Sequence, residues 1–184
     1  ALPISSVTEI DDYAFSDCSA LVEVSIPFSV DEIGSCAFNY CTALSSIVIP
    51  DSVTEIEEGA FAECRALTTV VLPNSLTEIS DYLFSDCTSL SDILIPASVT
   101  EIETGAFQRC TSLLSIVIPD SVTEIEDIAF SQCSALRSVL LPASVTEIGV
   151  GAFDKCPNLT LTVFRNSYAE RYAQRNHIPY TYAD

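Results

Sequence analysis

The residues of this sequence best suited to chemistry are its eight cysteines and its one histidine, His177. A zinc site needs four ligands close together at a characteristic spacing. No Cys-x-x-Cys occurs, and the closest pair, Cys36 and Cys41, is five residues apart. A Cys–His nucleophile would need His177 to reach a thiol such as Cys156, but that cysteine belongs to a regular series that is better explained as core. We therefore predict no metal site, no cofactor and no catalytic residue.

Seven of the cysteines follow one another at a fixed spacing of 23 residues: Cys18, Cys41, Cys64, Cys87, Cys110, Cys133 and Cys156. A period of this size indicates one supersecondary unit per repeat, stacked so that equivalent residues lie about 4.8 Å apart. Because that spacing exceeds the Cβ separation of about 3.8 Å in a disulfide, we expect a ladder of seven buried, reduced thiols. Cys36 lies outside the series, and we expect it to be partly exposed.

A phenylalanine and an isoleucine keep the same 23-residue step in every repeat: Phe15, Phe38, Phe61, Phe84, Phe107, Phe130 and Phe153, with Ile10, Ile33, Ile56, Ile79, Ile102, Ile125 and Ile148. Within a repeat, the alternating apolar residues of 67–73 predict a short strand that Pro73 ends. Residues 75–79 predict a second, shorter strand, and the segment around Phe84 is too short for more than one helical or 3₁₀ turn. The period predicts a β-rich repeat solenoid of seven coils, each about 23 residues long.

The repeated pattern also carries a family resemblance. The motif C-x-x-L-x-x-V-x-I-P-x-S-V-T-E-I-x-x-x-A-F, found over residues 2–163, resembles the BspA-type leucine-rich repeat of bacterial surface proteins. The general leucine-rich repeat has Asn or Cys after its strand, whereas here Cys precedes the strand and Pro follows it. The resemblance implies a right-handed leucine-rich-repeat superhelix, an extracellular or bacterial cell-surface location, and a role in adhesion or host-protein contact. It implies no catalysis.

The C-terminal end departs from the repeat pattern. Leu159, Leu161 and Val163 alternate strictly with polar residues, which predicts a plain strand. Ser167 is a candidate N-cap for a helix over residues 168–176, whose apolar side should cover the open core of the last coil.

These features divide the chain into a repeat array, residues 1–163, and a C-terminal cap, residues 164–184, made of the helix and a short extended end. The segment 166–180 also resembles the terminal cap found after BspA-type arrays. No equivalent precedes the first repeat, so we expect protein outside this sequence to cover that edge.

Acidic residues outnumber basic ones by 26 to 7, which gives a formal charge of −19. This balance argues against nucleic acid or an anionic membrane as a partner, and no apolar segment is long enough to insert into a membrane. One glutamate per repeat should form an outward column: Glu9, Glu32, Glu55, Glu78, Glu101, Glu124 and Glu147. Ca²⁺ could relieve the repulsion along this column, but the loop spacing that preorganises a Ca²⁺ site is missing. A solvated face that discourages aggregation is the alternative.

A second outward column is apolar. Alternation along each strand sends one residue away from the core, and five of these six positions are aliphatic: Val48, Val71, Leu94, Val117 and Leu140, with Ser25 as the exception. Polar residues lie beside the column, and we take Glu23, Asp92 and Arg137 as candidate contacts. Solvated sheet faces usually carry polar residues, so the column predicts a surface that binds a protein or a peptide. Strand propensity and packing along the column are the alternative explanation.

We therefore expect a non-catalytic recognition or adhesion module of a bacterial cell-surface or secreted protein. Its partner would be a protein or peptide, with a host extracellular protein as one candidate, and its oligomeric state stays open. A passive structural spacer within a larger surface protein is the alternative. An enzyme is disfavoured because no acid, base and nucleophile converge in the sequence.

Overall fold

A computed structural model describes residues 7–183 of the chain. Five of the seven repeats form two short strands, because β-branched residues alternate with polar ones and a proline or a turn ends each run. The first and fourth repeats form only the shorter strand, since segments 23–25 and 92–94 are not strands. Over the described residues the strands and the single helix are β1 Glu9–Ile10, β2 Glu32–Ile33, β3 Ser46–Val48, β4 Glu55–Ile56, β5 Thr69–Val71, β6 Glu78–Ile79, β7 Glu101–Ile102, β8 Ser115–Val117, β9 Glu124–Ile125, β10 Ser138–Leu140, β11 Glu147–Ile148, β12 Thr160–Val163, α1 Tyr168–Arg175 and β13 Tyr180–Tyr182.

The predicted repeat solenoid is confirmed, as a β-solenoid of about eight turns with one short C-terminal helix. The strands stack in parallel and in register, one repeat apart, so that Glu101 pairs with Glu124 and Ile102 with Ile125. The two-residue strands form sheets β1-β2-β4 and β6-β7-β9-β11, and the longer strands form β3-β5 and β8-β10-β12-β13. Counting each repeat from its Ser-Val-Thr-Glu-Ile motif or its variant, repeat 1 begins at Ser6, repeat 4 is residues 75–97 and repeat 7 begins at Ser144.

The third side of each repeat consists of consecutive turns, and the single helical turn that the sequence allows does not form there. Alternate backbone N–H groups donate to the next repeat, as from Phe38 to the carbonyl of Ala60 at 2.8 Å. Two turn positions have positive φ in every repeat, and the first of them holds glycine in three repeats. A Cβ at Gly105 would clash with the Tyr82 ring of the preceding repeat, so glycine gives this ring room to pack.

The phenylalanine column forms the centre of the core. The rings of Phe38, Phe61, Phe84, Phe107 and Phe130 are fully buried. Neighbouring rings stack nearly parallel, as Phe38 does on Phe61 with 5.2 Å between centroids. The first ring of the column, Phe15, is 37% exposed because no described residue covers the open side of repeat 1. The last ring, Phe153, packs edge-on against Tyr172 of the C-terminal helix at 6.3 Å.

The C-terminal helix forms where the sequence predicts it. The Ser167 hydroxyl accepts a hydrogen bond from the backbone N–H of Glu170 and so caps the first turn. Ala169, Tyr172 and Ala173 are buried against the last repeat. The short extended end that follows the helix forms strand β13, which pairs with β12 and extends the sheet by one strand. No helix among residues 7–183 has the length and apolar character needed to cross a bilayer.

The cysteine ladder is shorter than predicted. Five thiols of the series are buried, Cys156 is half-buried and Cys18 is exposed, because the first and last repeats lack a full neighbour. Each buried thiol donates to a phenylalanine carbonyl of the preceding repeat, as Cys64 does to Phe38 at 3.2 Å. Burial raises the pKa of Cys64 to about 12, so this thiol stays protonated and unreactive. All eight cysteines are free thiols, and Cys36 is partly exposed as expected.

Repeat 4 interrupts both columns of strands. β4 and β6 do not pair, and the segment 92–94 forms no strand although its neighbours β5 and β8 do. Two buried side chains are larger here than in the other repeats, because Leu76 replaces a valine and Leu83 replaces an alanine. The centroids of Phe61 and Phe84 are accordingly 6.0 Å apart, the widest step of the column. Extra volume in a packed core displaces the backbone, which accounts for the lost pairing.

Replacing Phe107 by alanine should lower the free energy of unfolding by about 3–5 kcal/mol, because the ring is fully buried between two others. The matched control is the same substitution at Phe28, which is 83% exposed and should change the free energy by about 0.5 kcal/mol or less. Urea denaturation followed by circular dichroism measures both. Equal losses in the two variants would contradict the assignment of inside and outside.

A thiol-specific reagent such as Ellman's should react fastest with Cys18, because it is the exposed member of the series. The five buried thiols should react only after unfolding, since burial and a raised pKa both suppress the thiolate. The variant Cys18→Ser should therefore lose the fast phase and keep the slow one. Rapid reaction of most thiols in the folded protein would show that the core is not closed.

Candidate binding surface

The apolar column on the longer strands is exposed, as the alternation predicts. Its five aliphatic side chains point away from the core, with exposed fractions of 63% for Val48, 48% for Val71, 80% for Leu94, 63% for Val117 and 36% for Leu140. The residues immediately before and after each of them in the chain are buried, as Ile47 and Ile49 are around Val48. We call this column, with the polar residues beside it, the strand face. Exposed aliphatic residues in a continuous row are uncommon on a monomer surface.

The polar residues beside the column are also at the surface. Glu23, Asp92 and Arg137 are all exposed, in repeats 1, 4 and 6 respectively. Their order places negative charge towards the first repeats and positive charge near the last ones. The strand face therefore has a charge difference along its length as well as an apolar centre. Whether these residues contact a partner stays a prediction.

A groove of about 590 Å³ opens on the strand face in repeats 1–3. Val48 and Val71 line it together with the carboxylates of Glu23 and Asp51. Phe28, 83% exposed, also lines it. Sequence reasoning missed Phe28, although a signal was present: later repeats have a polar or small residue at that position. Its exposure is unusual for an aromatic side chain, because aromatic rings are normally the largest apolar groups that a fold buries.

Charge is distributed unevenly along the solenoid. Residues 1–64 contain twelve Asp and Glu and no Lys, Arg or His. Two of the basic residues that follow pair with acidic neighbours, Arg65 with Glu63 at 2.8 Å and Arg109 with Asp86 at 3.5 Å. The first repeats therefore form the most uniformly negative part of the molecule, and the groove lies within them.

The glutamate column predicted from the sequence lies along the two-residue strands. Its members stack directly on one another, as Glu78 does on Glu101, and all of them are exposed or half-buried. The carboxylates of Glu78, Glu101 and Glu103 approach within 4.8 Å of one another. Burial, with the charges of Glu101, Asp81, Glu78 and Glu126, raises the pKa of Glu103 to about 7.

This acidic cluster lies beside the interrupted pairing of repeat 4. Glu55, Glu78, Asp81 and Glu103 line a hollow of about 300 Å³ there. The Oδ1 atom of Asp81 is buried and has no hydrogen-bond partner among the described residues. Several carboxylates thus share one small space with little positive charge nearby, so protonation of one of them relieves repulsion.

The residues considered for catalysis are not arranged as a catalytic set. His177 is exposed after the C-terminal helix, whereas Cys156 is half-buried at the end of the core. Burial raises the pKa of Cys156 to about 11, the opposite of the shift that activates a nucleophilic thiol.

A search against protein families matches this chain to the BspA-type leucine-rich repeat region, in six copies over residues 2–113 and 100–174. No curated protein matches the chain.

Solved structures of leucine-rich repeat proteins resemble the fold. A leucine-rich repeat protein of T. pallidum is 38% identical, with a TM-score of 0.82 over 95% of this chain and 79% of that one. One from Eubacterium ventriosum is 30% identical, with a TM-score of 0.76 over 82% of this chain and 41% of that one. A leucine-rich cell surface protein of Faecalibacterium prausnitzii is 32% identical, with a TM-score of 0.58 over 86% and 58% of the two chains.

Replacing Glu103 by glutamine should stabilise the protein at neutral pH and have little effect in acid. A carboxyl group whose pKa is raised on folding binds its proton more tightly when folded, so its contribution to stability declines as the pH rises. For Glu103 this decline runs from about pH 4.5, the ordinary value, to about pH 7. Urea denaturation in EDTA at several pH values measures the difference between wild type and variant.

The control is Glu23→Gln, which removes one exposed carboxylate outside the cluster and should change stability less. A difference between wild type and Glu103→Gln that does not vary with pH would contradict the raised pKa.

Proposed function

Because the chain belongs to the family of BspA-type leucine-rich repeats, we propose that it is a non-catalytic recognition module that binds a protein or peptide through its strand face. The observation that carries the proposal is the row of five exposed aliphatic residues from Val48 to Leu140. Burying such a row against a partner removes apolar surface from water, which is the main favourable term in protein association. Repeat solenoids supply extended surfaces of this kind for binding.

The position of this row supports binding rather than packing. The neighbouring side chains in each strand already fill the core, so the outward residues are not needed to close it. Polar residues flank the row, which is the arrangement of an apolar interface centre with a polar rim.

The state of Cys156 favours recognition over catalysis. The candidate nucleophile Cys156 is held as a neutral thiol: it donates to the carbonyl of Phe130 at 3.1 Å, and burial raises its pKa to about 11. The five buried thiols of the series lie in the hydrophobic core, where they act as packing groups.

We further propose an extracellular or cell-surface location. The support is family membership together with a 32% identical relative that is described as a leucine-rich cell surface protein. Free, buried thiols are compatible with that location, because oxidants reach them only after unfolding.

A passive spacer is the second candidate, and the stacked repeats favour it because they form a self-supporting solenoid. A spacer needs no particular side chains on its strand face. The two candidates therefore differ in what the exposed aliphatic residues contribute.

The triple variant Val71→Ser, Leu94→Ser, Val117→Ser should lose binding and keep its unfolding temperature, because all three side chains are exposed. Binding is measured by biolayer interferometry against a panel of purified extracellular proteins and against a displayed peptide library. The matched control is Val150→Ser, which replaces an 80% exposed valine outside the strand face. Unchanged binding in the triple variant, or no binding by the wild-type chain, would favour the spacer.

A further inference from the structure

We propose that the groove in repeats 1–3 recognises a polypeptide segment in which a large apolar side chain lies next to lysine or arginine. This inference rests on the function proposed above and adds the chemistry of the partner. It places the strongest contacts at one end of the strand face rather than evenly along it.

The floor of the groove is apolar. Val48 and Val71 present exposed methyl groups, and the largely buried side chains of Ile26, Ile49 and Leu72 complete the lining. Its volume of about 590 Å³ leaves room for a large apolar side chain. The step from Ser25 to Val71 covers two strand spacings, about 10 Å, which is the length of about three residues of extended chain. A short segment with one large apolar side chain fits this floor.

The rim of the groove is suited to a cation. Glu23 and Asp51 both line it, and no basic residue is present in residues 1–64. The Oδ1 atom of Asp51 accepts hydrogen bonds from the backbone and side-chain nitrogens of Asn74 at 2.8 and 3.2 Å, which holds the carboxylate in place. Phe28 adds an exposed aromatic face, to which ammonium and guanidinium groups are attracted.

The negative charge of the first repeats also favours a basic partner. Residues 1–64 contain twelve carboxylates, one of which pairs with Arg65, and no basic residue. This excess of negative charge attracts a basic segment and repels an acidic one. A second copy of this chain is disfavoured as the occupant, because each copy carries a formal charge of −19. An apolar floor with an acidic rim therefore selects a basic segment that also carries an apolar side chain.

The test is selection of a random nonapeptide library, displayed on phage, on the intact 184-residue chain. We expect the enriched peptides to combine a large apolar residue with an adjacent Lys or Arg. Synthetic copies should bind about tenfold more weakly to the variants Phe28→Ala and Glu23→Gln, and more weakly at high salt. Val150→Ser is the matched control and should bind as the wild type does. Thermal unfolding of each variant shows whether the fold is kept.

The outcomes separate this inference from the broader function. Peptides that lose binding in Val117→Ser but tolerate Phe28→Ala and Glu23→Gln would overturn the groove and leave strand-face recognition standing. Enriched peptides without basic residues, or no enrichment, would also overturn the inference. If no strand-face variant changes binding, both proposals fail together.

Discussion

Packing each repeat in register on the next is the constraint on which this molecule depends. The Phe, Ile and Cys columns exist because residues 23 positions apart meet directly, and parallel pairing such as Glu101 with Glu124 follows from the same register. In the core this repetition is favourable, since identical rings stack without gaps. On the surface it forces identical charges together, as Glu78 and Glu101, which add to burial in raising the pKa of Glu103.

The same register turns single residues into continuous surfaces. One outward position per strand becomes a row of aliphatic side chains, and one glutamate per repeat becomes an acidic row on the adjoining side. Variation between repeats then becomes the source of specificity, because any residue that departs from its column is unique on the surface. Phe28 is such a residue, with the groove of repeats 1–3 beside it.

Periodicity allowed much of the fold to be predicted. The outward direction of Val48 and Leu94, the buried phenylalanines and the helix after Ser167 all follow from alternation, period and capping preference. The turns on the third side could not be predicted, because a positive φ at Tyr82 or Ile128 runs against residue preference and is imposed by neighbouring repeats. The exposure of Cys18 and the broken strand pairing at repeat 4 depend on how the neighbouring repeats pack against these positions. The residue type at a position does not specify that packing.

Repeat 4 also determines how the solenoid would respond to being stretched. Between repeats 3 and 4 both strand columns are interrupted. The halves are joined there by the turns of the third side, as through the N–H of Gly59 and the carbonyl of Asp81 at 2.8 Å, and by stacked rings. The hydroxyls of Ser75 and Ser80 also donate across the joint to the carbonyls of Val53 and Ile56. A pull applied between a partner held at repeats 1–3 and the C-terminal helix passes through this joint. Repeats 3 and 4 would therefore separate first under tension, while repeats 1–3 and repeats 4–7 each keep their fold.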